Sequence, residues 1–437
     1  MSSDSNTAVR PIADIVSELD SPAASAYSLD GMTPEHAVRP ASVKQLADLV
    51  RSARADGKAI IPWGGGTQMG VGNIPAGYDV AIDLSAINEV LRYDSDDMTM
   101  SVQSGCRLHD LNQMLGEHRQ VLPVDAAFPA EATIGGMTAV GASGPRRLGY
   151  GPLRDLIIGM SVMSVDGVVS KAGGQVVKNV TGFDMMRMHH GALGSLGLII
   201  SINLKVIPKP QSERTVIALY ESLEQADAAA REVAQSQLGV TALVVTNPAA
   251  TSEATGEAHD TWGIAVRCEA PPSAVVRQAE RVIEYISQNA THVYVEESTE
   301  QSIERWDAIC KALDQRADSP DIAIRLGRTA SRLRDAGEAA TGALEPFRDG
   351  RLTLDYGSGL AYIRVSRELS STDSIKEVLE ELAGEADHVT LATAPVDLKR
   401  QIDVFGPTPE GFSMVEALKN TFDPDRTFNP GRSVGRL

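Results

Sequence analysis

Three glycine-dense stretches decide how this chain reads: Pro62-Trp63-Gly64-Gly65-Gly66-Thr67, Ala132-Thr133-Ile134-Gly135-Gly136 running on to Gly141 and Gly144, and Gly194-Ser195-Leu196-Gly197. Glycine permits positive φ and close approach of a ligand to the main chain. Clustered outward N–H groups make a concavity for anions. Three such loops in order point to a long ligand with a charged middle, a dinucleotide by chemistry. Two common phosphate signatures are absent. No Gly-Lys-Ser/Thr completes a P-loop, and Gly64-Gly65-Gly66-Thr67-Gln68-Met69 does not make the GxGxxG of a doubly wound dinucleotide fold.

The 437 residues carry a formal net charge of −18, which argues against a nucleic-acid partner, because phosphate neutralisation needs clustered Lys and Arg. A bound phosphate must then be held mainly by backbone N–H groups. Cys106, Cys268 and Cys310 are widely separated and show no metal-ligand spacing, so no metal is expected and a reduced, cytoplasmic setting is the expectation. Met1–Asp20 lacks a basic start followed by an apolar run. Leu193–Ile207 is too short and too polar to span a bilayer.

Residues 1–33 read as a polar tail with a short helix. Ser42 caps a helix through Arg54 with Val43, Leu46, Leu49 and Val50 on one face. Lys58–Trp63 reads as a strand entering the first glycine loop. Val90–Tyr93 and Met98–Gln103 flank the turn Asp94-Ser95-Asp96-Asp97 and predict a hairpin. Pro208 and Pro210 close this half, and strands alternating with helices follow. Ser273–Ser287 is expected to be a helix with Val276, Ala279, Val282, Ile283 and Ile286 on one face. This predicts an α+β chain with domains at 34–210 and 211–410, the second a ferredoxin-like cap, and a C-terminal segment, 411–437.

The glycine strings, with Ile82-Asp83-Leu84-Ser85, Val102-Gln103-Ser104-Gly105 and Gly149-Tyr150-Gly151-Pro152-Leu153-Arg154-Asp155, resemble the vanillyl-alcohol-oxidase-type (PCMH-type) FAD-binding family over about Arg39–Pro208. Gly173–Asp184 and Phe422–Arg432 look most like the E-type FAD-binding subunits of bacterial glycolate oxidases. The resemblance implies a PCMH-type FAD-binding domain of two α/β subdomains. It assigns FAD contacts to Pro62, Gly64, Gly65, Gly66, Thr67 and Gln68, to Thr133, Ile134, Gly135, Gly136, Gly141 and Gly144, and to Lys178 and Thr181. Gly194, Gly197 and Ile199 would follow the adenine-ribose end, and Asn429 would return near the flavin ring.

Covalent flavoproteins of this fold carry a His or Cys where Asp125–Gly141 has neither, so the resemblance implies non-covalent FAD. Hydroxy-acid dehydrogenases of the family carry His-Gly-His in the cap, whereas Leu354-Asp355-Tyr356-Gly357-Ser358-Gly359-Leu360-Ala361-Tyr362 contains no histidine. A 2-hydroxy acid needs a base and a cation. Arg325, Arg328 and Arg364 are candidate cations or ordinary surface residues. Lys178 either stabilises charge at the flavin or bridges the domains, and Arg146-Arg147 either favours the diphosphate or is solvated surface. With no cysteine cluster, an iron–sulfur centre belongs to a partner. Three readings stand: an FAD-binding subunit of a glycolate (or D-lactate) oxidase or dehydrogenase complex, peripheral to the inner membrane through a paralogous catalytic flavoprotein and an iron–sulfur subunit; a self-sufficient FAD-dependent hydroxy-acid or alcohol oxidoreductase; and a flavin-fold scaffold.

Overall fold

A computed structural model describes residues 9–174 and 184–437. The first half holds two sheets. His36–Val38, Val80–Asp83 and Ile60–Trp63 form a parallel sheet with Val80–Asp83 in the middle. Val90–Asp94, Thr99–Gln103, Leu198–Lys205, Ile157–Met163 and Val169–Gly173 form an antiparallel sheet in that order. The acidic turn produces the expected hairpin. The helix Val43–Ala55 is capped by Ser42, whose hydroxyl accepts from the Gln45 N–H. Its buried Leu46, Leu49 and Val50 pack against Ile60, Val80 and Ile82, so burial fixes the strand that leads into the first glycine loop.

Of the segment expected as a polar tail with a short helix, the helix is Ile12–Ser17, and the chain is anchored from Ile12 onward. Ile12 and Ile15 join the core around Leu46 and Leu49, and the Tyr27 hydroxyl donates to Asp83 Oδ2 at 2.6 Å.

The second half is one eight-stranded antiparallel sheet built from two ferredoxin-like units. In the first unit Ser212–Tyr220, Ala242–Thr246, Trp262–Ala270 and His292–Glu296 lie in the order fourth, first, third, second. The second unit, Asp321–Gly327, Arg351–Asp355, Leu360–Ser366 and His388–Thr393, repeats that order in reverse, and the units join through Ala242–Thr246 and Arg351–Asp355. Helices Leu223–Gln235, Pro272–Ile286, Leu333–Ala343 and Thr372–Ala383 cover one face in a single apolar core. In Pro272–Ile286 the packed stripe is Val275, Ala279, Val282 and Ile286, while Val276 is exposed. The expected face was one residue out of phase at its start, because 275, 279, 282 and 286 keep the i, i+4, i+7, i+11 spacing.

On the opposite face Trp306 and Ile309 of the helix Thr299–Ile309 pack on Ile217, Ala242, Val244 and Ala265. The first half touches the sheet near strand ends: the Gly149 N–H donates to the Thr241 carbonyl at 3.2 Å, and a side chain at Gly357 would strike Leu148. Among the described residues, no helix is long and apolar enough to cross a membrane.

Candidate functional site

The first glycine loop leaves the parallel strand Ile60–Trp63 and is pressed onto the second. A Cβ at Gly65 would lie 1.7 Å from the Glu131 carbonyl oxygen, and one at Gly64 would lie 2.2 Å from Thr133 Oγ1. Here glycine is required by close approach of two backbones. Gly66 has φ +75°, which turns the chain back. Among the described residues, the N–H groups of Gly65, Gly66 and Thr67 have no acceptor.

The second loop is different. Its Ile134 and Gly135 N–H groups donate to the Cys106 and Ser104 carbonyls, and the Gly136 N–H donates to Thr133 Oγ1. Of these two loops, the first keeps the neutral donors that an anion needs.

The third loop is fixed from the C-terminus. The helix Phe412–Phe422 buries Lys419, whose Nζ donates to the Ser195 carbonyl (2.8 Å), the Phe428 carbonyl (2.8 Å) and Asp423 Oδ2 (2.7 Å). Residues 427–429 then run beside the first-loop strand: the Ile60 N–H donates to the Thr427 carbonyl and the Asn429 N–H to the Ile60 carbonyl. Asn429 Nδ2 donates to the Leu193 carbonyl at 2.5 Å. One side chain therefore ties the last segment to the loop at Gly194.

These contacts line one concave pocket, the kind of site in which small molecules and cofactors bind. Pro62, Gly64, Gly65, Gly66, Thr67, Gln68, Thr133, Gly135, Gly136, Gly194, Gly197, Ile199 and Asn429 all line it. Ile134 does not: it is buried in the core beside Met137. Gly144 packs on Asp125 instead, and Gly141 opens into a neighbouring cavity. Lys178 and Thr181 lie outside the described residues. Ser104 and Arg432, not singled out in the sequence, also line the main cavity. Among the described residues, their Ser104 Oγ and Arg432 Nε are buried without a hydrogen-bond partner, which fits a polar ligand there. Both stand in the family-like strings Val102–Gly105 and Phe422–Arg432, which carried the only sequence signal for them.

The neighbouring cavity shares Thr67 and Gln68 with the first and reaches the cap at Arg325, Leu360 and Tyr362. Arg147 enters it from the first half. Arg146, a candidate for the diphosphate, is instead a buried tie between the halves: it pairs with Glu269 at 2.8 Å and Glu213 at 3.6 Å. Arg364, a candidate cation for substrate, is also committed. It binds Asp321 and, at 3.1 Å, Glu253, facing a separate, smaller cavity. A buried guanidinium with two carboxylates has no charge to spare. Arg328 pairs with Asp387 at 2.8 Å.

Residues 34–173 match the family model described as "FAD binding domain", and residues 407–433 match "FAD linked oxidases, C-terminal domain". The glycolate oxidase subunit GlcD of Bacillus subtilis (strain 168) is 30% identical over 200 residues, 46% of this chain and 42% of that protein. The glycolate oxidase subunit GlcE of Escherichia coli (strain K12) is 30% identical over 184 residues, 41% of this chain and 52% of that protein. The match therefore spans about half the length of these relatives or less. A solved 4-ethylphenol oxidase from Gulosibacter chungangensis superposes with a TM-score of 0.72 at 14% identity, covering 96% of both chains. The fold is α+β with a PCMH-type FAD-binding domain, and the cofactor of that domain is FAD.

Proposed function

We propose that this chain is an FAD-dependent oxidoreductase acting on small 2-hydroxy acids, and that it works as the FAD-binding subunit of a glycolate (or D-lactate) oxidase or dehydrogenase complex. The observation that carries the reading is the convergence of all three glycine loops and Asn429 on one cavity that adjoins a second, lined by Arg147, Arg325 and Asp125 among others. In this reading residues 34–210 and 411–437 hold FAD, and residues 211–410 cover the substrate side.

Bound FAD would supply a two-electron acceptor. The chain's part is to hold it without a covalent bond. The free N–H groups of Gly65, Gly66 and Thr67 would face its phosphates, neutral donors that suit a protein of net charge −18. Ser104 Oγ, Asn429 and Arg432 would fill its remaining polar valences. The likeness to both GlcD and GlcE supports a complex with a paralogous flavoprotein, and an iron–sulfur partner would carry electrons onward.

Purified chain should be yellow and should release FAD on acidification. Under anaerobic conditions glycolate or D-lactate should bleach the flavin, in the chain alone or in the complex co-purified with it. A colourless protein that stays apo in excess FAD overturns the reading. So does a yellow one that no 2-hydroxy acid reduces in either form.

A further inference from the structure

Two half-buried cations in the cap-side cavity have no partner. Arg147 and Arg325 both line it, and among the described residues neither guanidinium makes an ion pair or side-chain hydrogen bond. Their neighbours contrast with them: Arg146, Arg328 and Arg364 are all paired with carboxylates. Guanidinium groups withdrawn from water and left unpaired suit a carboxylate, which can accept two N–H donors from each fork.

Tyr362 lines the same cavity, directly across the strand pair from Arg325. Burial raises its phenol's pKa, and the Asp355 charge acts in the same direction, while Arg325, Ser358 and Arg147 oppose them. Behind it lies a short polar chain. The Ser358 hydroxyl donates to Asp355 Oδ2 at 2.6 Å and acts on the phenol from nearby, lowering its pKa. Asp355 is fully buried, and its Oδ1 accepts the Gly357 N–H at 2.9 Å. No cation is paired with this carboxylate among the described residues. Burial pushes its pKa up to about 6, against the hydrogen bonds from Ser358 and Gly357 and assisted by Asp125. An unpaired buried carboxylate lowers stability, so its place at the end of a hydroxyl chain from a cavity calls for a role.

We propose that Arg147 and Arg325 bind the carboxylate of a 2-hydroxy acid in this chain's own cavity, and that Tyr362, Ser358 and Asp355 carry away its hydroxyl proton. The inference rests on the function proposed above and deepens it, placing substrate binding in this chain as well as FAD. In the step, the C2–H bond breaks with its electron pair, which passes as hydride to oxidised FAD. The substrate O–H bond breaks as its proton moves to the Tyr362 oxygen. The Tyr362 proton moves to Ser358 Oγ, and the Ser358 proton to Asp355. The substrate leaves as a 2-oxo acid, FAD gains two electrons and one hydrogen, and one proton rests on Asp355. Tyr362 is the catalytic residue, and Ser358 and Asp355 act through it.

Oxalate supplies the carboxylate but has no hydrogen to lose. The full-length chain titrated with oxalate by calorimetry, with and without FAD, reads the site apart from turnover. Arg325→Met and Arg147→Met should each weaken binding by about 10- to 100-fold, while FAD content stays at the wild-type level. Tyr362→Phe should leave oxalate binding within a few-fold and slow anaerobic flavin reduction by about 100-fold or more. Flavin reduction in the wild type should rise through pH 6 as Asp355 ionises, and Asp355→Asn should abolish that rise. Oxalate that fails to bind a yellow chain whose complex still oxidises glycolate overturns this site and leaves the proposed function standing. Arginine variants that bind oxalate like the wild type overturn it too. A chain that binds oxalate through these arginines but never takes up FAD overturns the proposed function and the proton path together.

Discussion

Lys419→Met tests whether the C-terminal segment is what holds the third glycine loop. Lys419 is 1% exposed and its side chain makes three short hydrogen bonds, each to a different part of the site: the loop carbonyl at Ser195, the returning-strand carbonyl at Phe428, and Asp423 at the end of its own helix. Burial lowers its pKa, while Asp423 acts the other way. Methionine matches its length but offers no donor, so two buried carbonyls lose a partner. Asp423 keeps the Thr427 and Phe428 N–H groups at 2.9 and 2.8 Å, yet its charge is then uncompensated. Removing one partner of a buried pair costs about 3–5 kcal/mol. Because residues 427–429 pair with Ile60 at the root of the first loop, the loss should also reach the cavity. Urea denaturation followed by flavin fluorescence should show both a lower midpoint and weaker FAD retention. A variant within about 1 kcal/mol of the wild type in stability, with unchanged FAD affinity, would refute the clamp.

Gly65→Ala should abolish FAD binding with little effect on the cap, because the new methyl meets the Glu131 carbonyl oxygen at 1.7 Å. FAD per chain after gel filtration reads the first effect, and cap-domain hydrogen exchange reads the second. Arg146→Met should cost about 3–5 kcal/mol, since Glu269 and Glu213 from the cap lose their tie to the first half; thermal melting measures it. For Asp355, the folded-state pKa of about 6 lies above the ordinary 3.8. Its ionisation therefore weakens the fold progressively as pH rises from about 4 to 6, by up to about 3 kcal/mol. Asp355→Asn should be more stable than the wild type at pH 7.5, and the gap should close near pH 4.

What the sequence disclosed depended on how local the cause was. The glycine loops were legible because the requirement for no Cβ is written at single positions: Gly64 and Gly65 meet Thr133 and Glu131 whatever else the chain does. The caps and the acidic hairpin turn follow from neighbours within four residues and were legible for the same reason. The arginines were not, because a guanidinium is a ligand group or a structural tie according to what faces it. Arg146 and Arg147 are adjacent in sequence, yet one meets Glu269 and Glu213 and the other an open cavity. Likewise Arg325 and Arg364 occupy neighbouring strands of one sheet, and only Arg364 finds Asp321 and Glu253. The stretch Leu354–Tyr362 was notable in sequence only for lacking histidine. Its polar residues gain meaning from the hairpin that folds Ser358 back onto Asp355, and from the packing that leaves Asp355 without a cation among the described residues. Side chains whose role is set by pairing partners far along the chain must be read from the fold, and that is where the difference between a cofactor-holding subunit and one with its own substrate site resides.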